Sequence, residues 1–290
     1  MLYQLSYTPA GAGASRGSCG GLQAKPHIIF EAEAICYTRR MHAPATLPPI
    51  EPQLLMLAYR SGIFPMADRR DDPEIFWIEP RMRAILPLDG FHLSHSLART
   101  LRRGRFRVTC NRAFSAVMEA CAAPRDGESD SWISHRIQDS YERLNQLGHA
   151  HSIECWIDSP DEGERLVGGL YGVQFDRAFC GESMFSRVSD ASKVALAWLV
   201  AALRAGGASL LDCQFMTGHL ASLGAIEMSQ KRYLTLLRAA QEDRSLIEGQ
   251  RTRDPLPLPE AYASLLSDAA SEGLSSSPGK LIAHRLTHTS

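Results

Sequence analysis

Within Leu166 to Phe215 the chain sets Glu182, Asp212 and Gln214 inside otherwise apolar runs. Glu182 lies in Ala178 to Phe185, a run of apolar, aromatic and glycine residues. A carboxylate in such a strand is costly to bury unless a cation or hydrogen-bond donors meet it. Asp212 and Gln214 interrupt Ser209 to Phe215 at i and i+2, so they project from one face of a strand. Carboxylates and a carboxamide on neighbouring strands can hold a polar ligand and move protons, and their setting favours a site. The competing readings are a buried ion pair for Glu182 and mutually bonded edge-strand residues for Asp212 and Gln214. Cys180 and Cys213 are expected on the opposite, packed face, which makes them poor nucleophiles. His149, His151 and His219 have neither metal-ligand spacing nor a partnered Ser or Cys motif, so they read as structural.

A second feature is charge. From Phe91 to Val117 there is no acidic residue, while Arg99, Arg102, Arg103 and Arg105 follow one another closely. In a chain of net charge -1 this points to a local phosphate-contacting surface, of the kind that positions a folded RNA through sequence-independent contacts. The alternative is a solvated helix face.

The elements that must position these residues follow from periodicity and punctuation. Leu166 to Phe175 and Ala178 to Phe185, with Asp176-Arg177 between them, predict an antiparallel hairpin. The following helix can be capped by Ser189 or Asp190, presents Val194, Ala195, Trp198, Leu199 and Leu203, and ends at Gly206-Gly207. Ser209 to Phe215 returns as a strand. Upstream, helices are expected at 51–61, 93–103, 112–121 and 133–147, with strands at 105–109 and 151–157. A further helix is expected at 230–240. Residues 1–47 show no sustained period and read as an unstructured extension, with Met41 an alternative start. Prolines 65, 73, 80 and 87 suggest that 48–90 is a small loop-rich N-terminal domain. The catalytic domain is then 91–240. Residues 241–290 read as a polar tail with a short helix at 259–269.

Composition bounds the class. The 290 residues are 44% hydrophobic, enough to bury a full core, and the near-neutral charge argues against a protein that coats nucleic acid. Seven cysteines without CxxC spacing suggest reduced thiols and a cytoplasmic location rather than a disulfide framework or zinc site. No apolar run reaches a membrane span.

The strings HAHSIECW (149–156), LVGGLYGV (166–173), FCGESMFS (179–186), ASKVAL (191–196), LLDCQ (210–214) and HLASLGA (219–225) resemble the leucyl/phenylalanyl-tRNA protein transferase family. YRSGIFPM (59–66) and SWI (131–133) extend the resemblance upstream, collinear from about Pro49 to Ala239. It implies an α+β fold, an acetyltransferase-like (GNAT-like) mixed sheet with helices beside the small N-terminal domain. It also implies an enzyme that moves Leu or Phe, less readily Met, from charged tRNA to the N-terminal Arg or Lys of an acceptor protein, marking it for degradation. No cofactor is implied, because the aminoacyl ester is already activated, and the enzyme would be a cytoplasmic monomer.

By the same resemblance Asp212, Gln214 and Glu182 are the catalytic residues. Asp212 would orient Gln214 and attract the cationic acceptor, Gln214 would hold its amine, and Glu182 would bond the aminoacyl or ribose end. Trp132, Leu170, Phe179, Gly181, Met184 and Met66 would form the substrate pocket, and Arg99, Arg102, Arg103 and Arg105 would bind tRNA. The chain departs from the family at Met66, where a Trp is frequent, and at Phe76-Trp77, where a Trp pair is frequent. A coenzyme A-dependent N-acyltransferase of the same fold is the alternative, and a non-catalytic tRNA-binding module the third. The first is disfavoured by the loop Ser186 to Asp190, which lacks the glycines of a pyrophosphate-binding turn.

Overall fold

Proline and glycine punctuation sets the first elements. Pro52 opens helix α1 (Pro52–Arg60), and Gly62, at φ +81°, turns the chain out of it. The computed structural model describes residues 47–124, 130–159, 161, 163–242 and 254–287. The expectation for the extension therefore lies, apart from Leu47, outside the described residues. Strands β1 (Phe64–Met66) and β2 (Phe76–Ile78) pair with each other, and β3 (Met82–Ile85) follows between Pro80 and Pro87. The two prolines bracket this strand, so its amides remain free to pair with both neighbours.

Next come α2 (His95–Arg102), β4 (Arg107–Cys110), α3 (Phe114–Ala122), α4 (His135–Gln146), β5 (Ala150–Ser159), β6 (Gly163–Phe175), β7 (Ala178–Ser186), α5 (Ala191–Ala205) and β8 (Leu210–Gln214). The chain continues through α6 (Gly218–Ser222), β9 (Ile226–Ser229), α7 (Gln230–Gln241), α8 (Leu258–Ser271) and α9 (Gly279–Thr287). A seven-stranded sheet runs in the order β4-β5-β6-β7-β8-β3-β9. Of these pairs β7 and β8 run parallel, joined by the crossover through α5, and the others are antiparallel.

Helices cover both faces. Under α5, α2, α8 and α9 lies a core built on Leu170, Phe179, Met184, Trp198 and Leu199. Under α1, α3, α4 and α7 lies a second one, with Tyr59, Val117, Tyr141, Tyr171 and Phe185. Every residue of β7 is buried, as a strand covered on both sides must be.

The sheet crosses the domain boundary expected at residue 90, because β3 inserts between β8 and β9. The segment read as a polar tail differs too. Leu258, Ala261, Leu265 and Ala269 of α8 and Leu281, Ile282 and Leu286 of α9 are buried, and most join the α5 core. Their spacing forms one apolar face each, a weak signal in a Ser-rich stretch. Gln174 of β6 clasps the approach to α8, donating to Leu256 O at 3.1 Å and accepting from Leu258 N at 2.7 Å. Tyr262 of α8 donates to Val108 O at 2.7 Å, covering the edge strand β4.

At the start of α5 the expected caps do not act. Asp190 takes φ +71° without a side-chain capping bond. Its carboxylate instead faces Lys193 at 3.5 Å, and Ser186 Oγ accepts from Ser192 N at 3.3 Å. Gly207, at φ +76°, follows the end of α5 as expected.

Candidate active site at the parting of two parallel strands

The β7–β8 ladder runs over Ala178↔Leu210, Phe179↔Leu211 and Cys180↔Asp212. Past it the strands are joined by side chains: Gln214 Nε2 donates to Glu182 Oε1 at 2.7 Å. Both strands are irregular here. Tyr171 and Gly172 of β6 pair with Ser183 and Gly181, so Glu182 is the extra residue of a bulge. Ala84 and Ile85 of β3 pair with Gln214 and Asp212, so Cys213 is the extra residue of another. Gly172 is required opposite the first bulge, because a Cβ there would lie 2.3 Å from Cys180 O.

Gln214 sits at φ +63° in a three-residue turn in which Phe215 N donates to Cys213 O at 2.8 Å. That turn is rare and strained for a residue with a side chain. Gln214 N donates to Asp212 Oδ1 at 2.9 Å, which holds it. Asp212 is in turn gripped by the Arg83 fork, Nε to Oδ1 at 2.9 Å and Nη2 to Oδ2 at 2.5 Å. Tyr233 OH donates to Oδ2 at 2.9 Å. The Arg83 guanidinium lies 4.8 Å from the Phe64 ring centroid and 4.4 Å from that of Tyr233, and Nη1 donates to Gly62 O at 3.1 Å. Burial alone would lower the Arg83 pKa, but the Asp212 carboxylate reverses this and keeps the group protonated.

Glu182 is held differently. Tyr141 OH donates to its Oε2 at 3.3 Å, and the Tyr59 and Tyr141 hydroxyls are in direct contact. Burial, with the Asp212 charge adding to it, pushes the Glu182 carboxyl up to about 7; donors from Tyr59, Gln214 and Tyr141 pull the other way. Buried Gln214 Oε1, Ser183 Oγ, Tyr171 OH and Trp132 Nε1 make no hydrogen bond among the described residues. Unsatisfied buried polar atoms are rare enough to call for an explanation, such as a bound ligand or water. A buried carboxyl raised to about 7 beside an unpartnered carboxamide oxygen has the groups needed to hold an amine and take a proton from it.

The expected residues are distributed as follows. Glu182, Asp212 and Gln214 are brought together, all fully buried. Asp212 cannot attract a cationic acceptor, because Arg83, Tyr233 and Gln214 N already engage its oxygens. The pocket residues fall on two faces: Leu170, Phe179 and Met184 in the α5 core, Trp132 and Met66 in the other. The bulge at Glu182 explains this, since Phe179 and Met184, five positions apart, would point oppositely on a regular strand. Gly181 stands opposite Gly172 in the ladder.

Cys213 packs in the α5 core as expected, but Cys180 lies on the other face with Tyr59 and Tyr141. It is two residues before Glu182, so simple alternation already puts it there. Burial raises both thiols, which disfavours the thiolate. His151 is lowered to about 4 by burial and by His149, and its Nδ1 accepts from Asn111 Nδ2 at 2.9 Å. Among the described residues no group of three or more His, Cys, Asp and Glu could hold a metal ion.

The arginines sort in space. Arg107 and Arg112 pair with Glu164 of β6, an acid the local sequence does not contain. Arg99, Arg102, Arg103 and Arg105 are exposed and have no ion pair among the described residues. Beside them opens a cleft of about 680 Å³ whose lining includes Arg105, Trp156 and Tyr262 but none of Glu182, Asp212 and Gln214.

A family model described as leucyl/phenylalanyl-tRNA protein transferase matches residues 85–238, and one for that protein's N-terminal domain matches residues 49–81. The leucyl/phenylalanyl-tRNA protein transferase of Novosphingobium aromaticivorans is 60% identical over 263 residues, covering 83% of this chain and 97% of that protein. Those of Zymomonas mobilis and Nitrobacter winogradskyi are 58% and 50% identical, covering 66% and 74% of this chain and 69% and 94% of their own. The chain belongs to the leucyl/phenylalanyl-tRNA protein transferase family. The two family matches leave residues 82–84 of β3 between them, and Arg83 is one of these. Sequence reading missed Arg83, Tyr233, Tyr59 and Tyr141, whose side chains surround Asp212 and Glu182. An arginine beside the apolar run Ala84 to Leu86 was the available signal, since a buried cation needs the buried anion that Asp212 supplies.

Proposed function

We propose that this chain moves Leu or Phe, and less readily Met, from charged tRNA to the N-terminal Arg or Lys of an acceptor protein, which marks that protein for degradation. Family membership supports the reaction, and the Gln214 to Glu182 bridge across the parted strands supports its location. The acceptor α-amine attacks the ester carbonyl; the new C–N bond forms, the ester C–O bond to the ribose breaks, the amine gives up a proton and the ribose oxygen gains one. Gln214 Oε1 accepts a hydrogen bond from the amine, while Nε2 on Glu182 fixes which way the carboxamide faces. An N-terminal amine has a pKa of about 7.7 to 8.0 and Glu182 is held at about 7, so the carboxylate is matched to taking the proton.

The hairpin, crossover helix and departing parallel strand support an acetyltransferase-like arrangement. The coenzyme A alternative is not favoured: the loop before α5 has no glycine, and its left-handed position is Asp190. No helix among the described residues is long and apolar enough to cross a membrane, and a cytoplasmic monomer fits this reading. Charge removal at Arg99, Arg102 and Arg103 weakens tRNA binding whatever the sequence of the tRNA. For every phosphate no longer neutralised, the slope of log affinity against log salt falls by about 0.7 to 0.9, and an unchanged slope in the triple variant would place the patch outside the interface.

The donor side chain is placed on the face of the sheet where Tyr141 meets Glu182, the face that also carries Trp132 and Met66 and not Phe179 and Met184. The family resemblance implies a donor pocket for side chains unbranched at Cβ, so transfer of labelled Leu and Phe to an Arg-initiated peptide exceeds that of Val and Ile by at least about tenfold. Equal rates from Val-tRNA and Leu-tRNA would remove this selectivity.

A further inference from the structure

Arg83 and Asp212 form an ion pair with side-chain exposures of 2% and 0%, and its energetics do not explain its presence. A sealed pair of this kind adds little stability over well-packed apolar residues, because desolvation offsets the attraction. Its geometry is more informative. Both Asp212 oxygens are engaged by the Arg83 fork, which leaves Oδ1 in place to receive Gln214 N. The guanidinium cannot turn, since it is held against the Phe64 and Tyr233 rings and tied to Gly62 O. Tyr233 OH donates to Asp212 Oδ2 from α7. These contacts converge on one strained residue, Gln214 at φ +63°, whose Nε2 reaches Glu182 and whose Oε1 has no partner among the described residues.

We propose that Arg83 and Tyr233 are positioning residues of the transfer reaction: through Asp212 they hold Gln214 in its left-handed turn, so that Oε1 faces the acceptor amine. This rests on the assignment of Gln214 to that amine. Arg83 has a second effect, because it neutralises Asp212 beside Glu182. The groups facing Glu182 are Tyr59 from α1, Tyr141 from α4, Tyr171 from β6, Cys180 from β7 and Asp212 from β8. Burial raises the tyrosines and the thiol, so near pH 7 they are neutral and Asp212 is the charge that acts on Glu182.

The test measures kcat and KM for an Arg-initiated peptide, Phe-tRNA affinity and thermal unfolding, with rates per folded molecule. Arg83→Lys keeps the charge but loses the fork, so kcat falls about tenfold or more while Phe-tRNA affinity and the midpoint of the pH profile stay put. Tyr233→Phe loses one donor to a charged group and lowers kcat severalfold. Arg83→Gln, where it folds, leaves the Asp212 charge unopposed, and the acid limb of the pH profile moves to higher pH. Parent-like kcat per folded molecule in both Arg83→Lys and Tyr233→Phe, whatever their melting temperatures, overturns the proposal. A Gln214→Ala variant in the same series separates the two levels: slow Gln214→Ala beside normal Arg83→Lys and Tyr233→Phe sinks the clamp alone, and normal Gln214→Ala sinks the reading beneath it.

Discussion

Gln214→Ala is expected to slow peptide-dependent transfer about a hundredfold or more, with charged-tRNA affinity within a few fold and a smaller loss of melting temperature than Asp212→Asn. The carboxamide reaches Glu182 and its Oε1 has no partner among the described residues, so its removal takes away the amine's acceptor and one donor to Glu182 but leaves the buried Arg83–Asp212 pair intact. Asp212→Asn contrasts with it. That change leaves the Arg83 guanidinium sealed without its carboxylate, and breaking a buried pair costs about 3 to 5 kcal/mol. Its slower transfer therefore comes with a lower melting temperature. Were Gln214→Ala to unfold early and yet transfer normally per folded molecule, the carboxamide would be a sheet residue and nothing more.

Glu182→Gln is expected to abolish most transfer and, at alkaline pH, to stabilise the protein. The Glu182 carboxyl is raised by burial from an ordinary 4.5 to about 7. Between those values the folded state binds the proton that the unfolded state releases. This contribution to stability is complete below pH 4.5, declines as pH rises to about 7, and stays lost above it. An amide cannot ionise, so the variant escapes a penalty of roughly 3 kcal/mol above pH 7. Thermal unfolding at pH 5 and pH 8 checks it: the melting-temperature difference, variant minus parent, grows with pH. A difference independent of pH would mean that Glu182 titrates as it does in the unfolded chain. Stability given up at a working residue is a familiar exchange.

The hairpin β6–β7, helix α5 and strand β8 were legible because their periods are unmixed and their ends are marked by Asp176-Arg177 and Gly206-Gly207. Glu182, Asp212 and Gln214 stood out as polar residues on apolar strands. The bulges were not legible. Whether Glu182 is an extra residue depends on the register of β6, and sequence along one strand carries no record of its partner. The resemblance implies one pocket for Phe179, Met184 and Trp132, whereas they lie in cores on opposite faces of the sheet. Tyr59 and Tyr141 looked like members of apolar helix faces, which they are, and only their hydroxyls reveal the second role. Arg83 was hidden by the prolines on either side of β3, which suggested loop rather than sheet. The acid-free basic stretch gave no sign of Glu164, which answers Arg107 and Arg112 from a distant strand; Arg99 and Arg102 of α2 have no ion pair among the described residues.

The most direct measurement is transfer of labelled Phe from Phe-tRNA to peptides that differ only in their first residue and in whether its amine is free. The account predicts a labelled peptide with N-terminal Arg or Lys, none when that amine is acetylated, and none from acetyl coenzyme A. Failure of the free-amine Arg peptide to take up Phe, or acetylation of it from the coenzyme instead, would contradict it.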